Sequence, residues 1–247
     1  MKIAIISDLH SNYEALKVVM QEISANNVDK VVCCGDIVGY GPQPNECIEL
    51  LANTKNISMI VGNHDEAVIG GARTDITRFN HNAKAAVDIN RSVITERNLG
   101  VLKALPERHI EEDALFIHGS PRDPLNEYMF LLRVVRENAG FFDEKICFCG
   151  HTHSPMIFSR GIEGKETFDG IEGEQLVDIN PALKYIVNVG SVGQPRDGDN
   201  RACFVYYDTI KNTLLFRRLA YDIAKTQAKM KELSLPEFLI MRLAEGE

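Results

Sequence analysis

The chain has 247 residues, 45% of them hydrophobic and 25% charged, which are ordinary values for a soluble globular protein and enough chain for one large α/β core. A formal net charge of −8 excludes a non-specific coat for nucleic acid, which needs a basic field, but leaves room for a small phosphorylated substrate held through metal. No stretch approaches the ~20 apolar residues of a membrane span, and the Met1–Ile6 run is too short for a signal segment, so the expected setting is cytoplasmic with no membrane contact.

In chain order, Lys2–Ser7 is an apolar run that predicts a strand buried on both faces. Ser11 and Glu14 have capping-box spacing ahead of a helix whose Leu16, Val19, Met20 and Ile23 share one face and which ends at Asn26-Asn27. Val31–Cys34 is the next strand, giving a β-α-β unit with a right-handed crossover. It runs into Gly35 and Asp36, the carboxylate on which the rest of the site converges. A Gly39–Pro42 loop and a helix from Pro44 precede a strand at Ile57–Val61, which ends in Gly62-Asn63-His64-Asp65. Residues 66–112 carry helices around Ala83–Ile94 and Leu99–Leu105 but no long strand. Ala114–Ile117 is a strand ending at His118, a helix covers Leu131–Asn138, and Lys145–Cys149 is a strand ending in Gly150-His151-Thr152-His153.

From Pro155 the strands come without intervening helices: Met156–Ser159, Gln175–Ile179, Tyr185–Val189, Ala202–Tyr207 and Leu214–Leu219. They predict a second, mostly antiparallel sheet, with Gly161–Glu174 as a mobile hairpin tip. A last helical stretch begins near Tyr221 and restarts at Ser234-Leu235-Pro236-Glu237, a second capping-box pattern, as a lid over the second sheet or a subgroup feature. Residues 1–220 form one domain and 221–247 a helical extension packed on it. The six cysteines, including the adjacent Cys33 and Cys34 and the nearby Cys147 and Cys149, read as free thiols buried in strands; a Cys-x-Cys metal site lacks its second pair.

Five of the seven histidines (His10, His64, His118, His151, His153) follow the carboxyl ends of predicted strands, as do Asp8, Asp36 and Asn63. Parallel strands bring those ends to one edge, where α/β sheets bind ligands. Imidazole, carboxylate and one amide oxygen, without thiolate, suit Mn, Fe(II), Co, Ni or Zn better than an all-oxygen Mg or Ca cage. One ion cannot use so many donors, whereas two ions about 3.5–4 Å apart can if one carboxylate, Asp36, is shared. A single zinc ion lowers the pKa of bound water from 15.7 to about 7, so the expected nucleophile is metal-bound hydroxide.

Asp8-Leu9-His10, Gly35-Asp36, Gly62-Asn63-His64-Asp65, the lone His118 and Gly150-His151-Thr152-His153, in that order, resemble the calcineurin-like metallophosphoesterases over roughly residues 1–220. The resemblance implies an α/β fold, a four-layer αββα sandwich of two mixed sheets flanked by helices, with a dinuclear centre at one end. It assigns Asp8, His10, Asp36 and His153 to one ion and Asp36, Asn63, His118 and His151 to the other. It gives His64 contact with the phosphoryl group and the leaving oxygen, with Asp65 orienting it. Asn63 follows Val61-Gly62 with no arginine, unlike the protein Ser/Thr phosphatases of this superfamily, which points away from a phosphoprotein substrate. Asn188-Val189-Gly190-Ser191, followed by Gln194-Pro195-Arg196, resembles an Asn-Pro-Gly-Ser loop of small bacterial and archaeal members.

Asn12 and Arg196 are expected to touch substrate phosphate; helix capping and a surface ion pair are their alternatives. The expected activity is hydrolysis of a small phosphodiester or nucleotide-type substrate by a metal-dependent phosphoesterase. Competing readings are a phosphomonoesterase, a dinucleoside polyphosphate hydrolase, a nuclease, and a metal-free interaction scaffold on the same fold. A homo-oligomer is compatible with the sequence. No cysteine is followed by five residues and an arginine, and no Walker loop is present, which argues against cysteine-phosphatase chemistry and leaves ATP-driven work unsupported.

Overall fold

The computed structural model describes residues 1–161 and 163–247. In chain order the elements are β1 (Lys2–Ile6), α1 (Tyr13–Ala25), β2 (Lys30–Cys33), α2 (Pro44–Ala52), β3 (Ile57–Met59), α3 (Asn63–Ile69), α4 (His81–Val93), α5 (Glu96–Lys103), β4 (His109–Glu111), β5 (Ala114–Phe116), α6 (Leu132–Asn138), β6 (Ile146–Cys149), β7 (Met156–Arg160), β8 (Glu166–Gly170), β9 (Gln175–Asp178), β10 (Lys184–Asn188), β11 (Ala202–Asp208), β12 (Thr213–Leu219), α7 (Ile223–Glu232) and α8 (Glu237–Glu245). A short 3₁₀ turn spans Ile76–Arg78. Among the described residues, no helix is long and apolar enough to cross a membrane.

Two six-stranded mixed sheets stack face to face, ordered β3-β2-β1-β11-β12-β9 and β4-β5-β6-β10-β7-β8. Strands β1, β2 and β3 run parallel, as do β5, β6 and β10. Alternation along each strand decides which layer a side chain joins. On β1, Ile3 and Ile5 enter the core between the sheets with Phe116, Phe148, Val187 and Phe216, whereas Ala4 and Ile6 face Leu16, Val19 and Ile23 of α1. On the far side, Leu115, Cys147 and Ile186 pack against Val135 and Ala139 of α6 and its end. The result is the four-layer αββα sandwich. All six cysteines are free and buried, and Cys33 and Cys34 point to opposite faces of β2.

The strands after Pro155 do not form a separate sheet. β9, β11 and β12 complete the first sheet, and β7, β8 and β10 complete the second. Their pairings are set by partners far away in sequence, such as Ile5 with Val205. Part of the expected Gly161–Glu174 hairpin tip is regular: β8 pairs with β7 from Arg160–Glu166 to Met156–Gly170. Ile162 of that stretch lies outside the described residues.

Neither capping box forms. Ser11 has a left-handed backbone and donates its hydroxyl to Asn90 Oδ1 (2.7 Å), and Asn12 caps α1 one residue later. Glu14 instead meets Lys225 and Lys229 of α7. Ser234 is also left-handed, and Pro236 takes the cap position of α8 with no side-chain cap bond. The C-terminal helices do not cover the second sheet. Met230, Leu235, Leu239, Ile240 and Leu243 form one apolar cluster with Tyr40 and with Ala83 and Ala86 of α4, on the helical side of the first sheet.

Candidate metal centre

The carboxyl ends of β1, β2, β5 and β6, with the start of α3, bring seven expected ligands together, all of them buried. They fall into two groups: Asp8, His10, Asp36 and His153, and Asp36, His118 and His151. Asn63 joins the second through Oδ1, 2.9 Å from His118 Nε2. Asp36 is common to both. Its Oδ1 accepts the backbone N–H of His64 (2.8 Å), while Oδ2 is buried without a hydrogen-bond partner among the described residues. That oxygen lies 3.5 Å from His10 Nε2 and 3.4 Å from His118 Nε2, between the groups.

The imidazoles are aimed by backbone carbonyls. His10 Nδ1 meets Val38 O (3.3 Å), His118 Nδ1 meets Cys34 O (2.9 Å), His153 Nδ1 meets Gln194 O (2.6 Å) and His151 Nε2 meets Asn126 O (3.3 Å). A nitrogen facing a carbonyl carries the proton, so in each neutral ring the other nitrogen turns a bare lone pair inward. Yet His10 Nε2 and His153 Nε2 are 3.0 Å apart, and so are His118 Nε2 and His151 Nδ1. Two lone pairs at that distance repel unless a proton or a metal cation sits between them. With the unpartnered Asp36 Oδ2, this fits divalent metal at each group, and the nitrogen–oxygen donor set suits transition metals.

Local backbone strain is concentrated in the same residues. Asp8, His10, Asp36, His151 and His153 all have positive φ, between 47° and 68°. Such conformations cost of order 1–3 kcal/mol each and persist where the surroundings over-determine them. Two close approaches require glycine. A Cβ on Gly62 would stand 2.1 Å from Asp36 Oδ1, and one on Gly150 would stand 2.2 Å from Asp8 Oδ2. The Asn188–Ser191 stretch holds two ligand loops together. Asn188 Nδ2 donates to Gly150 O and Thr152 Oγ1, and Ser191 Oγ donates to Asp8 O (2.8 Å).

The electrostatics call for positive charge. Burial opposes ionisation of Asp8 and Asp36, but the imidazoles around them outweigh it and hold both carboxyls below their usual range. Burial likewise opposes protonation of His118, but Asp36 and Asp8 outweigh it and raise its pKa to about 9.

His64 stands beside the ligands, its ring 4.9 Å from that of His10 and 4.4 Å from Tyr40. Burial pushes it down to about 4, so at neutral pH it is an uncharged imidazole. Asp65 does not orient this ring, contrary to expectation. Its two oxygens accept the backbone N–H groups of Val38 and Gly62 (2.9 Å each), and His64 Nδ1 has no partner among the described residues. Asp65 thereby ties the Asp36 loop to the start of α3. Burial and the nearby Asp36 raise its pKa to about 7.

Asn12 serves as a helix cap. Its Oδ1 accepts from Ala15 N–H and Thr226 Oγ1, and one of its two Nδ2 hydrogens donates to Gly193 O (2.8 Å). Among the described residues Arg196 forms no surface ion pair: it donates to Gln194 Oε1 (2.7 Å) and lies 5.4 Å from the Tyr40 ring, at the edge of the His10 side.

The sequence reading missed three residues. Buried Asn90 of α4 accepts from Ser11 Oγ and Gly39 N–H and donates to Gly41 O and Ala86 O, buckling the loop behind His10; as one member of a helical repeat it looked like a packing position. Tyr128 stacks on His151 (ring centroids 3.7 Å, 21°) and Phe79 lies against His64 (4.7 Å, 40°). Neither aromatic ring has a local sequence signal.

Residues 1–212 match the family model described as calcineurin-like phosphoesterase superfamily domain. The chain is 39% identical to an uncharacterised protein, MJ0912, from Methanocaldococcus jannaschii, across 99% of this chain and 98% of that protein. It is also 39% identical to a metallophosphoesterase from Sphaerobacter thermophilus whose crystal structure covers all of both chains at a TM-score of 0.87. The hypothetical protein PH1004 of Pyrococcus horikoshii, at 19% identity, shares the fold across the whole chain with a TM-score of 0.80, covering 98% of its own chain.

Proposed function

The chain belongs to the calcineurin-like phosphoesterase superfamily, and from that premise we propose that it is a dinuclear metal-dependent phosphoesterase acting on small phosphodiesters. The observation that carries this reading is the buried, unpartnered Asp36 Oδ2 between two converging donor groups. Asp8, His10, Asp36 and His153 would hold one divalent transition-metal ion, and Asp36, Asn63, His118 and His151 the other. Bound there, the ions supply an acidified water as nucleophile and a Lewis acid toward the phosphoryl oxygens.

The protein's own groups do the rest. The backbone carbonyls facing the four imidazoles hold their donor nitrogens inward. His64, neutral at pH 7, donates a hydrogen bond to the phosphoryl or leaving oxygen. Arg196 and Tyr40 bound one side of the substrate position. A diester is preferred on charge: its single negative charge matches one bordering guanidinium better than a monoester dianion would. A cleft of about 470 Å³ beside Asn63 and His151 has the size of a small-molecule site, and together with the net charge of −8 supports a small substrate over a polymer. The inward aim of all seven donor side chains speaks against a metal-free scaffold.

The test is turnover of chelator-stripped protein on a chromogenic phosphodiester and the matching monoester, with Mn²⁺, Co²⁺, Ni²⁺ or Zn²⁺ restored. Metal-restored turnover favouring the diester is expected. No turnover with any of these ions would refute the proposal.

A further inference from the structure

The cleft beside the metal centre is more specific in its chemistry than phosphate binding requires. Its floor is formed by the ligands Asn63 and His151, and its two lips come from distant parts of the chain, the Ala72–Phe79 stretch and the Asp123–Tyr128 stretch. Each lip lays an aromatic ring against an imidazole of the centre: Phe79 on His64 and Tyr128 on His151. Phe130 extends the second stack, parallel to Tyr128 (5.3 Å, 8°). Tyr128 and Phe130 remain 44% and 55% exposed, so the stack is open rather than buried in a core.

The lips are cross-tied. Thr74 Oγ1 donates to Asn126 Oδ1 (3.0 Å), Asn126 Nδ2 donates to Arg73 O (3.2 Å), and the Asn126 carbonyl receives His151. Arg73 is itself anchored to Glu66 and Glu107. The carboxylates of Asp75 and Asp123, whose Oδ1 atoms accept from Thr77 and from the Leu125 and Asn126 N–H groups of their own turns, stand at the polar edge of the cleft. Flat π-faces with acceptor groups at the edge suit a planar ring carrying N–H or O–H donors; a saturated chain would use neither.

Resting on the phosphoesterase reading, we propose that this cleft is the subsite for an ester group bearing a planar aromatic ring, a nucleoside or aryl alcohol, with Tyr128 and Phe79 as its specificity-determining residues. The ring enters between the lips while its phosphoryl group lies over Asn63 and His151.

The test uses non-hydrolysable ligands and calorimetry on the full chain loaded with Mn²⁺. Phenylphosphonate, cyclohexylphosphonate and the 5′-methylenephosphonate of adenosine share an anionic head but differ in the ring. Both aromatic ligands are expected to bind at least about tenfold tighter than the cyclohexyl compound, the scale of stacking on one aromatic side chain. Whichever of the two binds tighter identifies a nucleoside or a simple aryl ester. The preference should collapse in Tyr128→Leu, shrink in Phe79→Leu and survive in Tyr128→Phe, with metal content measured alongside because Tyr128 touches His151. Equal affinity for flat and saturated rings in the wild type, or a preference unchanged in both leucine variants, would overturn the inference while leaving the phosphoesterase intact. Failure to bind any phosphonate, together with no metal-restored turnover of a chromogenic diester, would overturn both.

Discussion

The two halves of the metal centre share Asp36 but differ in charge and setting. The half built on Asp8, His10 and His153 has two carboxylates, and the C-terminal helices pack beside it through the cluster that includes Tyr40. The half built on Asn63, His118 and His151 has only the shared carboxylate plus a neutral amide, and it borders an open cleft with an exposed aromatic stack. On the proposed dinuclear reading, the first would hold a cation and the second would present one to a ligand. Affinity and access would then be divided between neighbouring sites, with one side chain as the dividing element.

The most damaging change to this arrangement is at the shared residue. Asp36→Asn removes the only negative charge of the second half and one of two in the first. Metal Lewis-acid catalysis supplies several kcal/mol of transition-state stabilisation, so turnover should fall roughly a thousandfold or more. Steady-state kinetics with metal analysis checks this; near-normal turnover would break the claim that Asp36 is shared. His64→Ala should cost about a hundredfold in kcat, at the lower end of the range for a proton-handling group, while bound metal stays at the wild-type level. Loss of metal in that variant would make His64 a ligand instead.

The asymmetry itself is tested by a pair of variants. Asp8→Asn should weaken the tighter metal-binding step more than Asn63→Ala weakens the other, by at least about tenfold. Unit charges about 4 Å apart near a protein surface attract by about 4 kcal/mol, which leaves that margin after solvation losses. Competitive chelator titration reads both steps, and equal losses would remove the charge argument. The smallest effect is expected behind the first half. Asn90→Ala leaves the Gly39 N–H and Gly41 O of the buckled loop unpaired in the interior and should destabilise the fold by about 1–3 kcal/mol. For a chain of this size that is a drop of roughly 2–4 °C in Tm per kcal/mol, measurable by calorimetry. An unchanged Tm would show that the loop holds without Asn90.

The convergence of the donor residues was legible because they sit at the tips of parallel strands. Apolar runs such as Val31–Cys34, each ending in glycine or a polar residue, convey direction as well as position, and direction brings Asp8, Asp36, His118 and His151 to one edge. Pairing after Pro155 was not legible in the residue pattern, because each of those strands is apolar enough for either sheet and its partner is chosen over long sequence distances. Helix α3 escaped notice because it is seven residues long and its cap is Gly62, which has no side-chain signal. The role expected for Asp65 failed because adjacency in sequence to His64 places the two side chains on different sides of a helix start, and two backbone amides took the carboxylate. Tyr128 and Phe79 could not be found from spacing: ring stacking on His151 and His64 exists only once the insert and the loop after β5 are folded together.

The central claim is that one carboxylate joins two cation sites, and counting ions tests it most directly. Calorimetric titration of the chelator-stripped 247-residue chain with Mn²⁺, followed by metal analysis after desalting, should give two equivalents per chain in two steps of unequal affinity. A single equivalent, or none, would contradict the account.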